Sequence, residues 1–79
     1  MNTQILFFSS VTCGPCILAK KMLTKEIKQE LNIKIVPEED WLEFAKYEIK
    51  TVPTFVKLID NKEVNRRMGF KNIEELRNL

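Results

Sequence analysis

The chain has no histidine, and its 79 residues include only two cysteines. A structural zinc site takes about four Cys or His ligands. These side chains cannot supply that set from one chain, although a zinc or iron–sulfur centre shared between two chains stays open. The chain also lacks a block of one charge. Thirteen Lys and Arg stand against 11 Asp and Glu, for a net charge of +2. The signs are interspersed, so nothing marks the chain for nucleic acid. No apolar run approaches the roughly 20 residues that a membrane-crossing helix needs, so no membrane span is expected. Met1-Asn2-Thr3-Gln4 has no basic stretch and leads into only four apolar residues, Ile5 to Phe8. No signal peptide is expected from that start. Repeats, low-complexity segments and linkers are missing as well. What remains is one domain, residues 1–79, with 44 % apolar residues and 30 % charged residues. That composition suits a soluble globular fold in which most apolar side chains must serve the core.

Against that background the two cysteines stand out. They form Cys13-Gly14-Pro15-Cys16, preceded by the strand-like run Ile5-Leu6-Phe7-Phe8 and followed by an amphipathic helical pattern. Strand, dithiol, helix is the context in which two cysteines at this spacing read as a redox site. A thiol at a helix N-terminus faces free backbone N–H groups and the positive end of the helix dipole, and both favour thiolate. Thiolate is the nucleophile of disulfide exchange. The second cysteine, one helical turn on, is placed to attack the mixed disulfide made by the first. A purely structural bridge would close too small a loop to restrain the unfolded chain much. A dithiol that cycles belongs in a reducing compartment, here expected to be the cytoplasm.

The remaining patterns alternate strand and helix. Thr3 to Phe8 reads as a buried strand. Pro15 to about Leu31 reads as one helix, with Cys16, Ala19, Leu23, Ile27 and Leu31 on one face and Lys21, Lys25 and Lys28 largely on another. Asn32 ends it, and Ile33 to Val36 is a strand stopped by Pro37. Asp40 with Glu43 is a capping-box pattern opening a helix through about Glu48, with Glu38, Glu39 and Asp40 at its favourable end. Thr54 to Ile59 and Glu63 to Met68 read as a hairpin around Asp60-Asn61-Lys62, ended by Gly69. Asn72 with Glu75 caps a last helix that lines up Ile73, Leu76 and Leu79. Phe55, Val56, Leu58 and Ile59 are core candidates, and Trp41 and Tyr47 read as structural rings. The predicted class is α/β, in the order β-α-β-α-β-β-α: a four-stranded mixed sheet with helices on both faces.

Two stretches, Thr12-Cys13-Gly14-Pro15-Cys16 and Thr51-Val52-Pro53-Thr54, resemble the two signatures of the thioredoxin superfamily. Gly69 matches a glycine often found after the hairpin in that family. The resemblance spans nearly the whole chain and is to the compact core, as in glutaredoxins and small glutaredoxin-like thioredoxins. It implies that Cys13 is the attacking thiolate and Cys16 the buried resolving thiol. It further implies that Gly14 keeps the approach open and Pro15 sets the start of the helix. Pro53 would be cis, with the Val52 backbone turned to pair with an extended substrate. The implied activity is reduction of protein disulfides by a monomer that needs no cofactor. A thioredoxin-reductase-like flavoprotein would restore the dithiol, and ribonucleotide reductase is one conceivable acceptor. A glutathione-dependent glutaredoxin, or a binding subunit that does not use its thiols, are the alternatives. Three positions depart from the family. Phe7 stands where thioredoxins usually have a buried carboxylate, Thr12 where an aromatic ring is frequent, and Lys71 where a glutathione-binding protein would offer acid.

Overall fold

The computed structural model describes residues 2–79. Its elements are β1 (Thr3–Ser9), α1 (Gly14–Met22), α2 (Lys25–Leu31), β2 (Ile33–Pro37), α3 (Trp41–Lys46), β3 (Thr54–Ile59), β4 (Lys62–Met68) and α4 (Ile73–Arg77). The strands form one sheet in the order β2-β1-β3-β4. β1 runs parallel to β2 and antiparallel to β3, and β3 pairs antiparallel with β4. This is the mixed α/β sheet that the sequence pattern predicts. Among the described residues no helix is long and apolar enough to cross a membrane.

Alternation along β1 sends successive side chains to opposite faces. Ile5 and Phe7 join Cys16, Ala19, Leu23, Phe55 and Leu76 in one core cluster, so α1, α2 and α4 cover that face. Leu6 and Phe8 join Val36, Val56 and Leu58 in the other, which α3 covers through Phe44. Both clusters are anchored by aromatic pairs. Phe7 stacks on Phe55 with centroids 4.5 Å apart, and Phe8 meets Phe44 edge-on at 5.1 Å. Pairs of this kind contribute about 0.5–1.5 kcal/mol beyond the area they bury.

The structure corrects two helix assignments. The single helix expected from Pro15 to Leu31 is two helices, broken at Leu23-Thr24. Thr24 is extended (φ −65°, ψ 165°), and its hydroxyl accepts the Ile27 N–H at 3.3 Å, capping α2. A short hydroxyl side chain competes with the helical backbone in this way. Leu23, Ile27 and Leu31 nevertheless stay on the core side, so the periodicity runs through the break. The second correction concerns Asp40. It stands at the N-cap of α3, but its side chain makes no capping bond. Only its carbonyl serves, accepting the N–H groups of Glu43 (3.1 Å) and Phe44 (3.2 Å). α3 ends at Lys46, two residues short of the expected Glu48, which turns left-handed at φ 53°.

Pro37 is the last residue of β2, paired with Ser9, so that strand runs one residue past its expected end, whereas the asparagine terminators act as read. Asn32 adopts the left-handed conformation after α2 (φ 53°), and its side chain donates to the Thr3 carbonyl at 2.9 Å. The hairpin turn needs only Asp60 and Asn61, at φ 51° and 68°. Two consecutive left-handed residues match the twist of the flanking strands, and Lys62 already pairs with Ile59. Asn72 caps α4 by accepting the Glu75 N–H at 3.1 Å.

Candidate active site

β1 delivers the chain to one pole of the sheet, where Ser9 gives way to the loop 10–13. The loop is held by local hydrogen bonds. Ser10 Oγ accepts the Thr12 N–H at 3.3 Å and lies 3.1 Å from the Thr12 hydroxyl, while the Ser10 carbonyl accepts the Cys13 N–H at 3.3 Å. Cys13 is therefore fixed as the N-cap of α1 (φ −91°, ψ 115°). Its carbonyl accepts the Ile17 N–H at 3.0 Å, and its Sγ accepts the Cys16 N–H at 3.2 Å. The sulfur thus takes the place of the hydroxyl or carboxylate that usually satisfies a helix N-terminus. Pro15 sits in the first turn, where its missing N–H is no loss. Gly14 is exposed, and a Cβ built on it would meet nothing within 4 Å, so its surroundings are open.

Cys13 and Cys16 are joined as a disulfide with a Cα–Cα separation of 5.1 Å. Their settings differ. Cys13 is half-buried at the rim, with Thr12 and Gly14 exposed beside it, whereas Cys16 is 0 % exposed. Cys13 and Val52 pack against the core cluster that contains Cys16. The second predicted stretch thus packs against the same cluster as the dithiol. The Val52–Pro53 bond is cis, as the family resemblance implies. The Thr54 hydroxyl donates to the Thr51 carbonyl at 2.8 Å, bracing that turn. Gly69 closes the set from the end of β4, donating its N–H to the Pro53 carbonyl at 2.8 Å. Its φ of +87° suits glycine, although a Cβ there would meet no atom within 4 Å. The backbone conformation, and not a lack of room, selects the residue.

Behind Cys16 the pocket is apolar. Phe7 is 0 % exposed and stacked on Phe55, and the buried cluster around Cys16 contains no carboxylate among the described residues. Glu63, Arg66 and Arg67 of β4 are engaged elsewhere. Arg66 donates to both oxygens of Glu63 (2.5 and 2.8 Å) and to the Tyr47 carbonyl (2.8 Å). The Arg66 hydrogen bond holds the Glu63 carboxyl below its usual range, and the same bond raises the Arg66 guanidinium. Arg67 pairs with Glu75 of α4. Tyr47 therefore ties α3 to β4, in keeping with a structural reading, while Trp41 lies on the surface at 68 % exposure. The bracing of the loop by Ser10 escapes a motif search. Its one trace in the sequence is the hydroxyl pair Ser9-Ser10 followed by Thr12, just ahead of the cysteine.

No protein-family model matches the chain. Individual proteins do. Thioredoxin of Staphylococcus aureus is 30 % identical over 80 residues, covering 95 % of this chain and 76 % of that protein. Thioredoxin of Bacillus subtilis is 33 % identical over 72 residues, covering 85 % and 68 %. Among solved structures, thioredoxin of Fasciola hepatica superposes with a TM-score of 0.79 at 27 % identity, covering 98 % of this chain and 76 % of the other. Mitochondrial thioredoxin 3 of Saccharomyces cerevisiae gives 0.76 at 25 % identity, covering 96 % and 74 %. With its close cysteine pair at the N-terminus of α1, the chain belongs to the thioredoxin superfamily and is a thiol–disulfide oxidoreductase that reduces protein disulfides.

Proposed function

We propose that Cys13 is the attacking thiolate and Cys16 the resolving thiol of this reduction. The observation that carries the assignment is their asymmetry. Cys13 is reachable and its sulfur receives a helix N-terminal N–H, whereas Cys16 is fully enclosed. Cys13 attacks one sulfur of a substrate disulfide, and the other leaves as a thiolate. Cys16 then displaces the bound sulfur and closes the bridge to Cys13. Thr12, Gly14 and Pro15 form the near rim. Thr51, Val52, Pro53 and Gly69 form the far one, where an extended substrate segment pairs with the Val52 backbone as an added strand.

Electrons return from a thioredoxin-reductase-like flavoprotein. The Gly-Pro spacer favours this reductant, and so does Lys71. That exposed cation stands where the amino group of glutathione would need an acid. The 79 residues work as one monomeric domain, in the cytoplasm, where a reducing poise lets the pair cycle. The test is insulin-disulfide reduction with two recycling systems at equal protein concentration: NADPH with thioredoxin reductase, and glutathione with its own reductase. Turnover with the first system is expected. Efficient recycling by glutathione with little by the flavoprotein would instead assign the chain to the glutaredoxins.

A further inference from the structure

Two buried hydroxyls meet where β1 ends, Ser9 as its last residue and Ser10 as the first of the loop. Ser10 is bonded to Thr12. Ser9 is 0 % exposed, and its Oγ has no hydrogen-bond partner among the described residues. Native buried hydroxyls are nearly always paired, so one that is not calls for a reason. Its position in the sheet supplies one. Alternation puts Ser9 on the face of Ile5 and Phe7, the face whose cluster holds Cys16. In the ladder Phe7 lies opposite Phe55 and Phe8 opposite Thr54. One step further, Ser9 is level with Pro53, one layer above the Phe7–Phe55 stack and toward the dithiol.

We propose that the Ser9 hydroxyl is a further catalytic group, the hydrogen-bond donor to the Cys16 thiolate during the resolving step. This rests on the roles assigned above to Cys13 and Cys16. While the disulfide is closed, the Cys16 sulfur is neutral and needs no donor. In the mixed disulfide it must become an anion inside an apolar pocket, which opposes the charge. Cys16 gives its proton to water. Its thiolate attacks Cys13 Sγ, the bond from Cys13 to the substrate sulfur breaks, and the substrate leaves with that electron pair as a thiolate. Ser9 keeps its own proton throughout and only stabilises the anion. The other titratable groups on this face are occupied or at its rim. Lys57 of β3 bonds the Leu79 carbonyl at 3.2 Å, two residues beyond Phe55 and away from the dithiol. Arg67 of β4 pairs with one carboxylate oxygen of Glu75 of α4, whose other oxygen is buried without a partner among the described residues. Lys20 of α1 is half-exposed, and Cys13 is the reaction partner itself.

The test is stopped-flow reaction of the reduced full chain with 5,5′-dithiobis(2-nitrobenzoate), read as release of the coloured thiolate. Attack by Cys13 gives a first phase and resolution by Cys16 a second. Cys16→Ser keeps the first phase and loses the second, which checks the underlying roles separately. If Cys13→Ser keeps the fast first phase, those roles are reversed. Ser9→Ala is expected to leave the first phase and its pH profile unchanged. It should slow the second about tenfold at pH 7 and raise its pH midpoint by about one unit, the loss of one hydrogen bond to a charged group. Ser9→Thr keeps the hydroxyl and should hold the original midpoint; if that variant does not fold, the alanine midpoint decides alone. An unchanged second phase in Ser9→Ala overturns the proposal. So does equal slowing of both phases, or slowing without a shift in the midpoint.

Discussion

Phe7→Asp places a carboxylate in the apolar pocket behind Cys16, and its consequences follow from that pocket. Phe7 is completely buried and stacked 4.5 Å from Phe55. Losing such a ring costs about 3–5 kcal/mol. At roughly 0.05–0.15 kcal/mol per residue, a chain of 79 residues has only about 4–12 kcal/mol in total. Among the described residues the nearest cation on this face is Lys57, level with Ile5 and bonded to the Leu79 carbonyl, and the Cys16 cluster itself is apolar. Desolvation therefore raises its folded pKa above the unfolded value of about 3.9. Between those two values the folded state holds a proton that the unfolded state has released, so stability falls as pH rises. The slope is about 1.4 kcal/mol per unit, and a shift of about 3 units would remove about 4 kcal/mol more. Phe7→Asp should then be folded but weak near pH 4.5 and largely unfolded at pH 7.5. Urea titrations followed by circular dichroism at both pH values measure this, with Phe7→Leu as the control for lost volume. Equal stability of Phe7→Asp at the two pH values, relative to Phe7→Leu, would refute the apolar pocket.

Thr24→Ala removes the cap of α2 and should cost about 1 kcal/mol in urea unfolding, with the Cys13 alkylation rate unchanged. Gly69→Ala should cost about 1–2 kcal/mol, because φ is +87° while the methyl group meets no atom; no loss would mean that the turn relaxes freely. The lowered Glu63 carboxyl contributes stability that is present above its unfolded pKa and lost as pH falls through the folded value. Glu63→Gln should therefore flatten the acid limb of the stability profile, and should cost no more than about 1 kcal/mol at neutral pH because the pair is near the surface.

Much of the fold could be read because its signals are local. The continuous apolar run Ile5 to Phe8, the helical steps from Cys16 to Leu31 and the turn signal Asp60-Asn61-Lys62 each depend on neighbouring residues, and each finds its element in the sheet or its covering helices. The break at Thr24 was hidden because the core face continues across it, and periodicity reports the face rather than the continuity of the backbone. Asp40 misled for a different reason. The capping pattern names a residue type, but a backbone at φ −86°, ψ 62° leaves its side chain without a capping bond. The sharing of one cluster by Val52 and the dithiol came from family resemblance alone, since nothing in the spacing of Cys13 and Val52 requires it. Ser9 could not be singled out from sequence, because its isolation is a property of the layer it shares with residues far along the chain.

The most direct test of the account is to mix Cys16→Ser and Cys13→Ser, each reduced, with an oxidised protein substrate and to quantify covalent complexes by mass spectrometry under denaturing conditions. The half-buried Cys13, whose sulfur receives the Cys16 N–H at 3.2 Å, should do the attacking. Cys16→Ser is expected to accumulate a mixed disulfide through Cys13, and Cys13→Ser to accumulate none. Trapping through Cys16 in Cys13→Ser, or normal turnover by Cys16→Ser, would contradict the dithiol cycle.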